Sequence, residues 1–334
     1  MAAVGQIELR DRPYAGGRWR DVGAMSREVT RRLLREQIED VWGTGRTDLV
    51  DANYTPDVID HMPVAGQPPG LKALKQVVTD FRRGIADMRM DLHHVMAAGD
   101  FGVDLWTLSG THTGELFGQP STGAAVRFSG IDMVRIREEK IAELWHVEEM
   151  AHLAQQIGLQ SGEFGAPVSG VIPPPSTDIE YRPGANAFVP GIDDFSEKER
   201  RNLAVARRHI EEIWAKGRSE LCWELYHPDA IDHNPAPDQR PGIEGIIDVL
   251  GWLREAVPDL RMEIQCYVIE GDWIADRWVM TGTHSGAPLM GIPAQGRTFR
   301  INGMDVARLD EAALITDIWH CEEFASLLSQ IGPQ

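Results

Sequence analysis

The chain has 334 residues, which is long for one typical domain and ordinary for two. Hydrophobic residues make up 43% and charged residues 25%, as in globular proteins, and no run approaches the roughly 20 apolar residues of a membrane helix. The net charge of −18 repels nucleic-acid phosphates and anionic lipids, so we expect neither nucleic acid nor membrane as a partner.

The predicted elements begin after an N-terminal extension over residues 1–25. Apolar residues at helical spacing predict a helix over 26–43, with Ser26 as its N-cap. The second half repeats this helix from Ser196 through Trp214, where Ser196 and Glu199 match a capping box. A short second helix follows in each half, over 45–54 and 217–226.

A loop with the pattern Asp-His-x-Pro comes next, and then a third helix, over 71–86 in the first half and 243–257 in the second. Alternating β-branched and aromatic residues, separated by turns, then predict four strands in each half. These strands cover 90–97, 102–112, 125–137 and 140–150, and then 262–269, 274–284, 297–309 and 314–324. Helices followed by hairpin-linked strands predict an α+β fold, a cone of curved antiparallel sheet with a mouth suited to a small molecule.

The two halves are copies of one domain. Three motif pairs carry the match: 59–63 (IDHMP) with 231–235 (IDHNP), 110–114 (GTHTG) with 282–286 (GTHSG), and 145–149 (WHVEE) with 319–323 (WHCEE). The first two pairs lie 172 residues apart and the third 174, so only two single-residue slips interrupt the match. We therefore predict tandem domains over 26–159 and 195–334, joined by a Pro- and Gly-rich linker over 160–194 that drapes over a domain.

The most informative candidate residues are Asp132 and its copy Asp305. Asp132 shares strand parity with apolar residues such as Phe128 and Val134, while Met133 falls on the opposite face with arginines. A carboxylate on a core-facing row is costly unless it is hydrogen-bonded or protonated, and burial raises its pKa toward the range useful for proton transfer. A structural Asp that accepts bonds from a neighbouring His or Trp explains the pattern equally well.

Histidines recur at equivalent places. His112 shares parity with Trp106, and His284 with Trp278, so both histidines are predicted to face inward and to lie opposite the aspartates. A single histidine on such a face is more often a core residue than a catalyst. Its recurrence beside the Asp in both copies makes a facing Asp–His pair the favoured hypothesis.

Two further motifs supply candidate binding residues. In WHxEE, parity groups the His with the first Glu and the Trp with the second, but does not decide which set faces inward. In the Asp-His-x-Pro loop, the Asp is as well explained by turn capping, and the His is the better ligand contact. The predicted substrate-binding residues are His61, His233, Trp106, Trp278, Trp145, Trp319, His146, His320, Glu148 and Glu322.

No cofactor or metal is predicted. His61, His112, His146 and Glu148 are adequate metal ligands by type, but no HxH or HExxH spacing brings them together. No Gly-rich phosphate loop follows a strand, and no serine lies in a nucleophile elbow. The three cysteines lie in the second half without a CxxC motif, which argues against disulfides and structural zinc. With no secretory pattern at the start, the cytoplasm is the expected location.

Taken together, the Asp-His-x-Pro, GTHTGELFGQPSTG and GIDMVRIREEKIAELWHVEE segments resemble the SnoaL-like polyketide cyclases, also called the ester cyclase family. The resemblance covers both halves and leaves out the linker. It implies the nuclear-transport-factor-two-like fold and acid–base catalysis of an intramolecular aldol ring closure without cofactor or metal. The resemblance places the catalytic Asp at Asp132 and Asp305 and the assisting His at His112 and His284. It also implies that the fused halves form within one chain the dimer that single-domain relatives form between chains, with a further homodimer left open.

Three hypotheses for function remain. The first is a cyclase-like enzyme acting on a small apolar carbonyl compound. The second is a hydrolase or dehydratase that activates water through an Asp or through His146 and Glu148. The third is a non-catalytic module that binds a hydrophobic ligand or a partner protein. Whether both halves are active stays open.

Overall fold

A computed structural model of the chain describes residues 27–63, 67–159 and 187–332. The elements of the first half are α1 (Arg27–Arg35), which continues as a π-helical segment (Glu36–Trp42), α2 (Leu49–Asn53), β1 (Tyr54–Asp60), α3 (Leu71–Gly84), β2 (Arg89–Ala98), β3 (Phe101–Thr111), β4 (Ala125–Arg137), β5 (Lys140–Glu148) and α4 (Met150–Gln156). The predicted N-terminal extension, the N-cap Ser26 and linker residues 160–186 lie outside the described residues.

The second half repeats this order. Its elements are α5 (Glu197–Arg207), continued by a π-helical segment (Arg208–Trp214), α6 (Cys222–Leu225), β6 (Tyr226–Asp232), α7 (Gly242–Ala256), β7 (Arg261–Glu270), β8 (Trp273–His284), β9 (Arg297–Leu309), β10 (Ile315–Glu322) and α8 (Phe324–Ile331), with 3-10 turns at Ile192–Asp194 and Ser219–Leu221. The predicted capping box is confirmed, because the Glu199 amide donates to Ser196 Oγ (3.2 Å) and the Ser196 amide donates to Glu199 Oε2 (2.9 Å).

Each half forms one five-stranded sheet packed against its own helices. The strand orders are β1-β5-β4-β3-β2 and β6-β10-β9-β8-β7. Neighbouring strands are antiparallel, except that β1 runs parallel to β5 and β6 runs parallel to β10. The predicted α+β class with two tandem cone-shaped barrels is confirmed.

Two elements per half differ from the prediction. The segment before Asp60 is the edge strand β1, and Asp60 is its last residue instead of a loop residue. Its burial is irregular because it pairs parallel to β5 with a shifted register, so the sequence shows no clean alternation. The predicted fourth strands also end early, at Glu148 and Glu322, because α4 and α8 begin almost immediately afterwards.

The sheets bury both faces, which strand parity did not predict. Met133, predicted on a polar face beside arginines, is fully buried. It belongs to an apolar cluster that both sheets build, with Val103, Leu105, Ile131, Met133, Trp145 and Val147 from the first half and Cys266, Val268, Ala275, Met304, Val306 and Cys321 from the second. Because the side chains of this cluster are removed from water, they stabilise the association of the two halves. The chain is therefore an intrachain pseudo-dimer.

Polar and aromatic contacts add to this interface. The His94 ring stacks on Trp273 at 3.7 Å between centroids, and the Arg277 guanidinium lies over Trp145 at 5.1 Å. Of the aromatic residues in the predicted linker, Phe164 and Tyr181 lie outside the described residues. Phe188 is described, and its backbone joins the edge of β7 through hydrogen bonds with Gln265 O (3.1 Å) and the Tyr267 amide (2.9 Å).

The described helices contain no segment long and apolar enough to cross a membrane. The three cysteines Cys222, Cys266 and Cys321 are free thiols in the core. Burial raises the pKa of Cys222 and of Cys266 to about 12. They are therefore packed as small apolar side chains rather than as nucleophiles.

Candidate functional site

A mostly apolar cavity lies inside the cone of the first half. Its volume is about 90 Å³, and a single water needs about 10–15 Å³ by this measure, so the space suits a small organic molecule. Apolar walls come from the helices and the sheet, including Val41, Phe81 and Leu108. A few polar groups converge on it, as in ligand sites generally.

The deepest polar feature is a pair of carboxyl groups on neighbouring strands. Asp132 on β4 lies directly opposite Asp104 on β3, and both side chains are buried. Gln37 from the π-helical segment donates its Nε2 hydrogen to Asp132 Oδ2 (3.0 Å), and the Tyr54 hydroxyl donates to Gln37. Neither oxygen of Asp104 makes a hydrogen bond of ordinary geometry with a described residue.

Burial dominates the titration of this pair. It raises the pKa of Asp132 from 3.8 to about 7, against the lowering effect of the His146 charge. Burial and the neighbouring Asp132 together raise the pKa of Asp104 well above the usual range. Two carboxyl groups this close do not both ionise readily, so the pair holds one proton near neutral pH and exchanges the second around pH 7.

A half-buried imidazole lies beside this pair. His146 on β5 is opposite Asp132 in the β4–β5 ladder, and its ring donates to Glu148 Oε1 (2.6 Å) and to Asp60 Oδ1 (3.2 Å). Burial lowers the pKa of His146, but the two carboxylates outweigh burial and raise it well above its usual value. Asp60 is itself held by the Met62 amide (2.9 Å) and by Gln67 (3.0 Å). The ring is therefore a fixed imidazolium.

The second half keeps the same groups. His320 donates to Glu322 (2.7 Å) and to Asp232 (3.1 Å), and Asp276 lies opposite Asp305. Burial raises the pKa of Asp305 to about 7 and that of Asp276 well above its usual range.

Two details distinguish the second half. The indole nitrogen of Trp278 donates to Asp305 (3.1 Å), whereas that of the equivalent Trp106 is directed at Asp132 and lowers its pKa through a weaker contact. His209 stands where the first half has Gln37, and its Nε2 accepts hydrogen bonds from Tyr226 (2.6 Å) and Trp214 (2.9 Å). Burial lowers the pKa of His209 to about 3, so its ring is neutral.

His209, Asp276 and Asp305 also meet the simplest requirement of a metal site. Their possible ligand atoms lie within 4.8 Å of one another, and all three side chains are buried. The lone pair on His209 Nε2 is already used by two donors, and Asp305 already accepts from Trp278. These bonds fit a closed polar network better than a ligand set.

The predicted pairing of Asp132 with His112 is wrong, and so is that of Asp305 with His284. His112 lies eight residues along the strand direction from Asp104, roughly 25 Å at about 3.3 Å per residue. It is buried, and its Nδ1 bonds to Thr122 Oγ1 (2.9 Å). His284 bonds to the Ala287 carbonyl (3.0 Å) in the same place. Both histidines anchor the loop after the strand, because shared parity places residues on one face but not at one depth.

The predicted substrate-binding residues divide into two groups. Trp106, His146 and Glu148 line the cavity. His61 lies outside it, with its ring stacked on Trp145 at 4.3 Å and its Nε2 bonded to Glu143 (2.9 Å).

The second half divides in the same way. His233 stacks on Trp319 at 4.1 Å and bonds to Asp317 (3.0 Å). Trp278, His320 and Glu322 hold the positions equivalent to the cavity residues Trp106, His146 and Glu148. In WHxEE, the set with the His and the first Glu faces inward, and the Trp set faces the interface between the halves.

The sequence interpretation missed three groups. Asp104 has the same strand parity as Trp106, so alternation alone was sufficient to find it. Asp60 was identified, but as a turn-capping residue instead of a partner of His146. Gln37 carries no sequence signal, because only the docking of the first helix onto the sheet brings it to Asp132.

The second half also contributes to the cavity of the first. Glu323, Ala325 and Ser326, at the start of α8, form part of its wall. The side of the cavity that faces the second half is therefore closed only in the assembled pseudo-dimer.

The chain is similar to several proteins of known structure. Wild-type IdmH from Streptomyces antibioticus is 28% identical, with 40% of this chain and 98% of that chain covered and a TM-score of 0.34. TsrD from Streptomyces laurentii is 20% identical, with 41% and 99% covered and a TM-score of 0.38. A SnoaL-like polyketide cyclase from Agrobacterium tumefaciens is 17% identical, with 39% and 98% covered and a TM-score of 0.33.

A search of curated proteins finds no match. The family model for SnoaL-like polyketide cyclases matches two segments, residues 32–157 and 204–331. These segments contain both five-stranded sheets and, apart from the first residues of α1 and α5, the helices that pack on them. The chain therefore belongs to the SnoaL-like polyketide cyclase family and carries two copies of the family's domain in tandem.

Proposed function

We propose that the cavity of the first half is the active site of an acid–base enzyme that acts on an apolar, carbonyl-bearing small molecule, as in an intramolecular aldol ring closure. One observation carries this proposal: Asp132, whose pKa burial raises to about 7, lies in an apolar cavity beside a half-buried imidazolium. A general base is most effective when its pKa lies near the working pH. Family membership supports a cyclase-like or related activity.

Asp132 is the proposed general base. Above pH 7 its carboxylate accepts a proton from the carbon next to the substrate carbonyl, while Asp104 retains its own proton. Gln37 holds one Asp132 oxygen and leaves the other carboxylate oxygen for the substrate. After the new carbon–carbon bond forms, the same Asp132 proton is available for the alkoxide that the aldol step creates.

His146, instead of His112, is the proposed assisting histidine. Both of its N–H groups are used by Glu148 and Asp60, so it acts on the reaction through its charge and not as a donor to the substrate. This charge lowers the pKa of Asp132 against the effect of burial and so favours the ionised base, while Glu148 and Asp60 offset it toward the substrate. The indole N–H of Trp106, a cavity residue directed at Asp132, is the proposed hydrogen-bond donor to the enolate oxygen once Asp132 has taken up the substrate proton.

We assign turnover to the first half alone. In the second half, Asp305 accepts from Trp278 at 3.1 Å and lies in a closed polar network with His209 and Asp276, whereas Asp132 lines the cavity of the first half.

The test is deuterium exchange from solvent into the methyl group of acetophenone, whose protons exchange slowly without a catalyst, followed by NMR. The wild-type chain should accelerate the exchange, and Asp132→Asn should reduce the acceleration by about 10²–10⁴-fold, the usual contribution of a general base. Asp305→Asn is the matched control and should stay within a few-fold of wild type. Equal rates for wild type and Asp132→Asn would contradict the proposal.

The hydrolase hypothesis is less well supported by the geometry. The raised pKa of His146, caused by Glu148 and Asp60 against the effect of burial, keeps the ring protonated, and a protonated ring does not deprotonate water. A hydrolytic reaction would have to use Asp132 as its base. Incorporation of oxygen-18 from solvent into a product would favour that function over ring closure.

A further inference from the structure

One hydrogen bond across the interface between the halves has no counterpart at the equivalent position, where the roles of the two halves are exchanged. Asn234, after β6, donates its side-chain amide hydrogen to Glu149 Oε1 of the first half (3.2 Å). Glu149 Oε2 accepts from the Ser129 amide (2.7 Å). Both oxygens of Glu149 are therefore satisfied within the protein.

The equivalent contact on the opposite side is missing. The duplication places Met62 where Asn234 stands and Glu323 where Glu149 stands. A thioether offers no hydrogen to a carboxyl group. Accordingly, Glu323 Oε1 is buried and makes no hydrogen bond with a described residue. Met62 and Glu323 both line the cavity of the first half.

The rest of Glu323 is firmly held. Its Oε2 accepts from both the backbone amide and the side-chain amide of Asn302, at 2.7 and 2.8 Å. Asn302 holds the position that Ser129 holds in the first half. Oε2 of Glu323 therefore accepts from two donors of Asn302, whereas Oε2 of Glu149 accepts only from the Ser129 amide. One oxygen is thus fixed by the second half, and the other is buried without a described partner in a residue that lines the cavity of the first.

A buried polar atom without a partner is costly, and a ligand group that satisfies it gains that free energy. Burial raises the pKa of Glu323 despite the lowering effect of the Asn302 bonds, so its own neutral form is favoured and a partner need not bring a charge into the cavity. A hydroxyl group fits best, because it is neutral and can both donate to and accept from a carboxyl group.

We propose that the cavity of the first half is a composite site in which Glu323 of the second half binds a hydroxyl group of the substrate. The preferred substrate is then an apolar carbonyl compound that also carries a hydroxyl group. This inference rests on the proposed function, since it assumes that the same cavity takes the substrate. The second half then has a role in substrate specificity. Because the two domains are fused, every molecule carries both parts of the composite site.

The test is calorimetric titration of the full chain with p-cresol and with 4-methylanisole, which differ only by methylation of the hydroxyl group. The wild-type chain should bind p-cresol about tenfold more tightly than 4-methylanisole, because one hydrogen bond to a carboxyl group changes the affinity by about that factor. Glu323→Leu should remove this preference.

Met62→Asn is the sharper variant, because it leaves Glu323 in place. The new amide should donate to Glu323 as Asn234 does to Glu149, and the preference for p-cresol should fall toward one. Glu149→Gln is the matched control at the equivalent position outside the cavity and should keep the preference. Circular dichroism and gel filtration check that each variant is folded and monodisperse.

Several outcomes would overturn the inference: no binding of p-cresol to wild type, no preference in wild type, or a preference that survives in folded Glu323→Leu and Met62→Asn. These results are independent of acetophenone exchange. Loss of exchange in Asp132→Asn together with an unchanged preference in the Glu323 variant would leave the proposed function standing and refute this site. The reverse pattern would keep the site and refute the function.

Discussion

Replacing Asp132 by Asn should stabilise the chain, and by more at pH 8 than at pH 5. Burial raises the pKa of Asp132 from 3.8 to about 7 in the folded chain. Over this pH range the unfolded carboxyl group is ionised, while the folded group holds its proton until the pH approaches 7. The wild type therefore loses stability as the pH rises from about 4 toward 7, and then levels off. Asn has no proton to lose and keeps the hydrogen bond to Gln37.

The magnitude follows from the shift. One pKa unit corresponds to about 1.4 kcal/mol, so a rise from 3.8 to about 7 costs the ionised folded form about 4 kcal/mol at pH 8. Roughly 1.5 kcal/mol of this cost is already present at pH 5, where the unfolded group has ionised. The difference in free energy of unfolding between variant and wild type should therefore grow by about 2–3 kcal/mol from pH 5 to pH 8.

The assay is thermal and urea unfolding of the full chain at both pH values, followed by circular dichroism. Asp305→Asn should behave in the same way, because burial raises its pKa to about 7 as well. Asp91→Asn, at an exposed position on β2, is the control for removing a carboxylate at the surface. A difference between Asp132→Asn and wild type that is equal at pH 5 and pH 8, or larger at pH 5, would refute the reasoning.

Three further outcomes are expected. The acetophenone exchange rate should rise with pH through about 7 and then level off, as Asp132 ionises; a rate that falls over this range would exclude Asp132 as the base. His112→Gln should lower the melting temperature but keep the exchange rate within a few-fold, because His112 holds Thr122 instead of Asp132. Asn234→Ala should reduce the free energy of unfolding by about 1–3 kcal/mol, because it leaves Glu149 with an unpaired oxygen. A double-mutant cycle with Glu149→Gln measures the coupling energy between the two side chains.

The duplication and the fold class could be derived from the chain alone. Matching motifs at a near-constant offset reveal two copies, and periodicity separates helices from strands. The edge strand β1 and the short helices α4 and α8 were missed, because a parallel edge strand lacks alternation and seven- to eight-residue helices have little period to detect.

Strand parity also placed Asp132 and Asp305 inward, and the structure agrees. Parity could not select the histidine, because it says which face a residue is on and nothing about its position along the strand. Strand register is set by pairing between distant segments. It puts His146 opposite Asp132 and leaves His112 at the far end of β3.

The sequence by itself thus determined that the chain holds two α+β domains with an inward carboxyl group in each. Only the tertiary structure decided which groups surround that carboxyl group, because Gln37 and Asp104 contact Asp132, Asp60 holds its neighbour His146, and all three come from different elements that docking brings together. It alone also decided that Glu323 of one half lines the cavity of the other. The physical reason is that periodicity is a local property of the chain, whereas a site is made by packing between segments distant in sequence.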